Sequence, residues 1–156
     1  AAAVVRKGTV VPVPVQSPSV NLPAHPDNLN DYLKLGEKLF AARDYEKALS
    51  TYTEAMHFFS RDARLLNNIG NVHLAKGQTA QAIHYFKAAR EESRDYVEPV
   101  YNMACAYALQ GDKAKAMTNL KIAVGMNPEV GKWAQSDPDL LELRGYGQFN
   151  RITGVK

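Results

Sequence analysis

Three stretches of the sequence repeat one another at a spacing of 34 residues, and no insertion breaks the register. Gly36, Gly70 and Ala104 fill one column; Ala48, Ala82 and Ala116 fill a second. Tyr52, Phe86 and Leu120 form a third, and Ala55, Ala89 and Ala123 a fourth. A fixed period of this length restricts the chain to stacked supersecondary units, each covering the apolar face its neighbour leaves bare. The first two columns are small because two helices must approach closely there. The third column supplies bulk beside those contacts. Ala48 and Ala55 lie about two helical turns apart and so share one face.

Local punctuation predicts helix pairs. First helices are expected near 29–42, 63–76 and 97–110, and second helices near 45–59, 79–92 and 113–126. Gly77 and Gly111 fall between the helices of units two and three, where a left-handed residue is needed. Arg43 holds that place in unit one, at a cost of about 1 kcal/mol if left-handed. Asp44, Thr79 and Asp112 are candidate caps of the second helices. Asn127-Pro128 closes the last of them, and Asp137-Pro138 reads as a cap followed by proline at the first helical position.

These columns resemble the tetratricopeptide repeat family. Unit one reads Tyr32, Leu35, Gly36, Leu39, Ala48, Tyr52, Ala55, with Ser60 where the family favours proline. Unit two reads Leu66, Ile69, Gly70, His73, Ala82, Phe86, Ala89 and Arg94. Unit three reads Val100, Met103, Ala104, Tyr107, Ala116, Leu120, Ala123 and Pro128. The resemblance implies an all-α, right-handed α-solenoid of three helix–turn–helix repeats (29–62, 63–96 and 97–130) plus a capping helix. An extended, proline-rich tail (1–28) precedes the repeats. The closing segment 130–156, with Trp133, Leu140, Leu141, Leu143 and Phe149 offered as its inner side, resembles that of bacterial members.

Composition excludes little, but the residues argue against catalysis. Nineteen basic and sixteen acidic residues give a net charge of +3, with no long basic run or basic–aromatic stripe, so nucleic acid is not an expected partner. No apolar run approaches the roughly 20 residues that span a bilayer. Cys105 is the only cysteine, which rules out an internal disulfide, and it reads as a packing residue. His25, His57, His73 and His84 lack the spacing of a metal site, and His73 reads as a packed histidine in an aromatic column. Asp137 and Asp139 read as cap and first-turn acid rather than a catalytic carboxylate pair. Neither enzyme chemistry, a metal nor a cofactor is expected.

The resemblance directs attention to the concave face, which first helices line in this family. The inward positions are Asn30, Leu33, Lys34, Glu37 and Phe40 in unit one, and Arg64, Asn67, Asn68, Asn71 and Leu74 in unit two. In unit three they are Glu98, Tyr101, Asn102, Cys105 and Ala108. Arg64, Asn67, Asn68, Asn71, Tyr101 and Asn102 are therefore the expected contacts for an extended peptide, because an amide side chain both donates to and accepts from a backbone. The alternative is that some asparagines only bridge neighbouring helices. Chaperone-binding members clamp a C-terminal carboxylate with basic residues and asparagines. Here Leu33, Glu37, Glu98 and Asn102 replace four of those five residues and only Asn68 matches, so such a clamp is not expected.

The function implied is a non-catalytic adaptor or scaffold that holds a partner polypeptide; the alternative is a fixed structural subunit of an envelope or organellar assembly. In the tail, Val10, Val11, Val13 and Val15 alternate with prolines that exclude a helix, so an extended tether to a neighbouring subunit is expected. The opening Ala1-Ala2-Ala3 fits the end of a removed targeting segment. A periplasmic, exported bacterial protein is the expectation, with an organellar or cytoplasmic one as alternatives.

Overall fold

The computed structural model describes residues 28–154. The expected tether residues Val10, Val11, Val13 and Val15 lie outside them. Eight α-helices and one 3-10 helix follow in sequence, and no strand occurs among the described residues. The first helices are α1 (Leu29–Ala41), α3 (Ala63–Ala75) and α5 (Val97–Leu109). The second helices are α2 (Tyr45–Met56), α4 (Thr79–Glu92) and α6 (Lys113–Met126). Helix α2 stops three residues short of its expected end, where the amides of Phe58 and Phe59 both turn back to the Ala55 carbonyl. Among the described residues no helix is long and apolar enough to cross a membrane.

The turn between paired helices is built identically three times. Gly77 and Gly111 take φ of 74° and 79°, and Arg43 takes 59°. In each unit the left-handed residue donates to the carbonyl three back, and the next residue donates to the one five back: Asp44 to Leu39, Gln78 to His73, Asp112 to Tyr107. That pattern satisfies carbonyls a helix end leaves bare. Asp44 and Asp112 then cap α2 and α6, accepting from the amides of Lys47 and Lys115. Thr79 does not cap α4. The cap position is Gln78, which makes no side-chain capping bond, because its amide oxygen lies against His73 Nδ1 at 2.7 Å. Thr79 Oγ1 instead accepts from Gln110 of the next unit. His73 stacks on Tyr85, with ring centroids 5.3 Å apart.

Small and large columns are matched pair by pair. A Cβ placed on Gly36 would run into the ring of Tyr52, and one on Gly70 into the ring of Phe86. Where the small column holds Ala104, the large one holds Leu120, and both are fully buried. Glycine thus goes with an aromatic partner and alanine with leucine, because the inter-helix space is constant and close-packed.

The closing segment is three short elements rather than one capping helix: α7 (Val130–Ser136), a 3-10 helix (Pro138–Leu143) and α8 (Gly147–Thr153). Leu140, Leu143 and Phe149 are buried as expected, but Trp133 is 41% exposed and Leu141 60% exposed. The reasons are geometric. The inner side of α7 is taken by Val130, Gly131 and Ala134, and the Thr153 carbonyl would stand 2.9 Å from a Cβ on Gly131, leaving no room there for an indole. A 3-10 helix repeats every three residues, so burying Leu140 and Leu143 turns Leu141 outward. Asp137 caps this element through the Asp139 amide at 2.9 Å, with Pro138 following.

Candidate functional site

Side chains of α1 and α3 enclose an open cavity of about 310 Å³. Its lining is Asn30, Leu33, Lys34, Glu37, Arg64, Asn68 and Tyr96. Two cross-unit bonds join its walls: Arg64 Nη1 donates to Asn30 Oδ1, and Asn68 Nδ2 donates to Glu37 Oε1, each at 3.4 Å. Arg64 is also held by Asp62, the N-cap of α3, at 3.2 Å. Buried Leu33 offers an apolar surface among these groups. Tyr96 is the lining residue the repeat pattern does not reveal, since it precedes α5 and belongs to no column. Burial first, and Glu98 second, push its phenol up to about 12, so it is a neutral hydrogen-bonding group here.

The asparagines at the centre are organised by one another. Asn102 Nδ2 donates to Asn67 Oδ1 at 3.0 Å and to Asn71 Oδ1 at 2.9 Å, and Asn67 Nδ2 donates to the Tyr96 hydroxyl. Asn67 is only 3% exposed, so its amide is occupied within the protein. Asn71 and Asn102 are half-buried. Among the described residues, Asn71 Nδ2 and Asn102 Oδ1 are left without a protein partner, one a donor and one an acceptor.

In unit three the inward positions are covered by the chain's own closing segment. Tyr101, 7% exposed, donates its hydroxyl to Asp137 Oδ2 at 2.6 Å, and its ring meets Trp133 edge-on at 5.8 Å. The Cys105 thiol donates to the same oxygen at 3.7 Å. The backbone carbonyl of Asp137 accepts from Arg144 at 2.7 Å. Burial, then the Asp137 and Asp139 carboxylates, hold the thiol protonated well above its usual range. Burial likewise raises the Tyr101 phenol. The donor atoms of Cys105, Asp137 and Asp139 lie within 4.8 Å of one another, and by type they could ligate a metal. Asp137 is already committed, to a hydroxyl, a thiol and a backbone amide, and a protonated thiol is a poor ligand. Of the six nominated residues, then, Arg64 and Asn68 line the cavity, Asn67, Asn71 and Asn102 form a network beside it, and Tyr101 lies under the cap.

Residues 73–136 match the profile of the tetratricopeptide repeat. That segment carries the tetratricopeptide repeat. The three units described above extend that repeat over α1 to α6. A segment of 59 residues is 39% identical to tetratricopeptide repeat protein 21B of Xenopus laevis, covering 38% of this chain and 4% of that protein. A segment of 80 residues is 28% identical to a TPR repeat-containing protein of Halalkalibacterium halodurans, covering 51% of this chain and 36% of that one. The chain thus spans a small part of the curated relatives it matches. Among solved structures, MamA superposes with a TM-score of 0.68 at 18% identity, over 84% of this chain and 75% of that one. The TPR2B domain of yeast Sti1, solved as a pHsp70 complex, gives 0.63 at 20% identity, over 81% and 97% of the two chains. The Yersinia enterocolitica type III secretion translocator chaperone SycD gives 0.62 at 20% identity, over 81% and 92%. At these identities the likeness speaks for the fold.

Proposed function

We propose that this tetratricopeptide repeat protein is a non-catalytic adaptor that holds an extended segment of a partner polypeptide against units one and two. The observation that carries the reading is the cavity between α1 and α3, where an apolar floor at Leu33 is ringed by groups of both charges and by amides. Arg64 and Asn68 contact the segment directly. Asn71 Nδ2 and Asn102 Oδ1 pair with one peptide unit of its backbone, while Asn67 fixes their orientation. Tyr101 supports that end of the groove from beneath the cap. Complexes of neighbours with peptides, such as the pHsp70 complex of the Sti1 domain, favour a protein partner. A terminal carboxylate is disfavoured, because the Asn68 amide already faces the Glu37 carboxylate.

The test is co-purification from the native source with the full chain as bait, comparing wild type with an Arg64→Ala, Asn68→Ala double variant of unchanged helicity. Loss of the partner supports the groove; retention at full yield sinks it. The valine-rich stretch carrying Val10, Val11, Val13 and Val15 is proposed to tether the protein to a neighbouring subunit. Deleting residues 1–24 should release it from its assembly, and unchanged assembly would end that idea.

A further inference from the structure

A second groove lies on the other side of α5. Met103 and Tyr107 are four residues apart and share one helix face, rotated away from the Tyr101 and Cys105 face that meets Asp137. They floor an open cavity of about 510 Å³ whose walls are Lys87, Arg90 and Glu91 of α4, Arg94 just beyond its end, and Asn119 of α6. Residues 63–96, which supply those cations, form the most basic of the three repeat units, with five cations against three acids. Among the described residues, neither Lys87, Arg90 nor Arg94 takes part in an ion pair. The adjacent Glu92 does not neutralise them, because it is engaged by Arg61 at 3.0 Å. The Asn119 amide nitrogen is spent on the Lys115 carbonyl at 2.9 Å, which leaves its oxygen as an acceptor.

We propose that this groove is a second docking surface and takes an acidic peptide segment that carries an apolar side chain. The carboxylates of such a segment meet Lys87, Arg90 and Arg94, and the apolar side chain lies on Met103 and Tyr107. Asn119 Oδ1 accepts from its backbone. The positive wall exceeds its one internal acid, so charge complementarity selects an anionic occupant. A nucleic acid fits less well, because the only ring in the groove is already faced by Lys115, 5.4 Å from its centroid, and no other aromatic can stack on a base. This surface is separate from the α1–α3 cavity, so either reading can fail alone.

The experiment is fluorescence anisotropy with a labelled pentapeptide in which two aspartate pairs flank a leucine, titrated with the full chain. Saturable binding that weakens as salt is added is expected. The Arg90→Glu, Arg94→Glu variant should bind about tenfold or more weakly, from loss of attraction and gain of like-charge repulsion. An Arg90→Gln, Arg94→Gln variant serves if the reversal does not fold, and should also bind more weakly. Lys34→Glu with Arg64→Glu, in the other cavity, should leave affinity unchanged. Any of four results overturns the proposal: no saturable binding by wild type, full affinity in the folded Arg90 and Arg94 variants, loss caused by the Lys34 and Arg64 pair, or tighter binding of a single-stranded oligonucleotide at the same groove.

Discussion

Units one and two differ from unit three in two respects. The first two pair a glycine with an aromatic ring, and their inward face opens to solvent beside Lys34, Glu37 and Arg64. Unit three pairs Ala104 with Leu120, and its inward Tyr101 and Cys105 are sealed by Asp137 and Trp133. Units one and two are each followed by another repeat, whereas the last is followed by a segment that is not a repeat. A solenoid end needs an apolar inside and a polar outside. Here the finish is a trio of short elements, pinned by one carboxylate, and it takes a third of the candidate binding face with it. The difference teaches that groove length in a repeat protein is set by its cap as well as by its repeat count.

The largest effect is expected at the glycine–aromatic pair. Gly70→Ala drives a methyl into Phe86, and overpacking of about 1–3 kcal/mol exceeds the gain of about 0.5–1 kcal/mol in helix propensity. Adding Phe86→Leu, which copies unit three, should restore part of the loss. Urea denaturation of the two single variants and the double variant measures this coupling, and strict additivity would refute the matched-pair explanation.

Asp137→Ala should cost about 1.5 kcal/mol or more, because it removes the acceptor of a hydrogen bond to a charged group and leaves Tyr101 buried without one. Trp133, the only tryptophan, reports the change directly: its emission should shift to the red as the indole leaves Tyr101. If unit three is sealed as described, the same variant should also expose Cys105. The wild-type thiol, buried and protonated, should resist iodoacetamide at pH 8, and the variant should be alkylated much faster. Equal rates in the two proteins would mean that the cap does not shield the inward face.

The smallest effect concerns Asp139. Burial, and then the neighbouring Asp137, raise its carboxyl above the usual range. A raised carboxyl binds more protons folded than unfolded, so the fold loses stability as pH climbs from the unfolded value through the folded one, and stays at the lower level above it. Asp139→Asn should remove that loss, gaining less than about 1 kcal/mol at pH 7 once solvent screening is allowed for. Its benefit should vanish near pH 3. Thermal melts at the two pH values check the sign; a benefit that persists at pH 3 would point to something other than titration.

The repeat fold was written in the sequence, because each unit is specified locally. The 34-residue columns, the left-handed Gly77 and Gly111, and the aspartate caps at Asp44 and Asp112 all act within a few residues of themselves. The inward positions of the first helices came from the resemblance to the family; Arg64 and Asn68 line a cavity, and Asn67, Asn71 and Asn102 lie within reach of one another. Tertiary structure decided what no period encodes. Tyr96 joins the cavity because the loop before α5 folds against α3. Trp133 faces outward because Thr153 closes over Gly131. Tyr101 is withdrawn from the open face because Asp137, 36 residues later, reaches back to its hydroxyl. These are contacts between segments that share no repeat register, so only the folded chain brings them together.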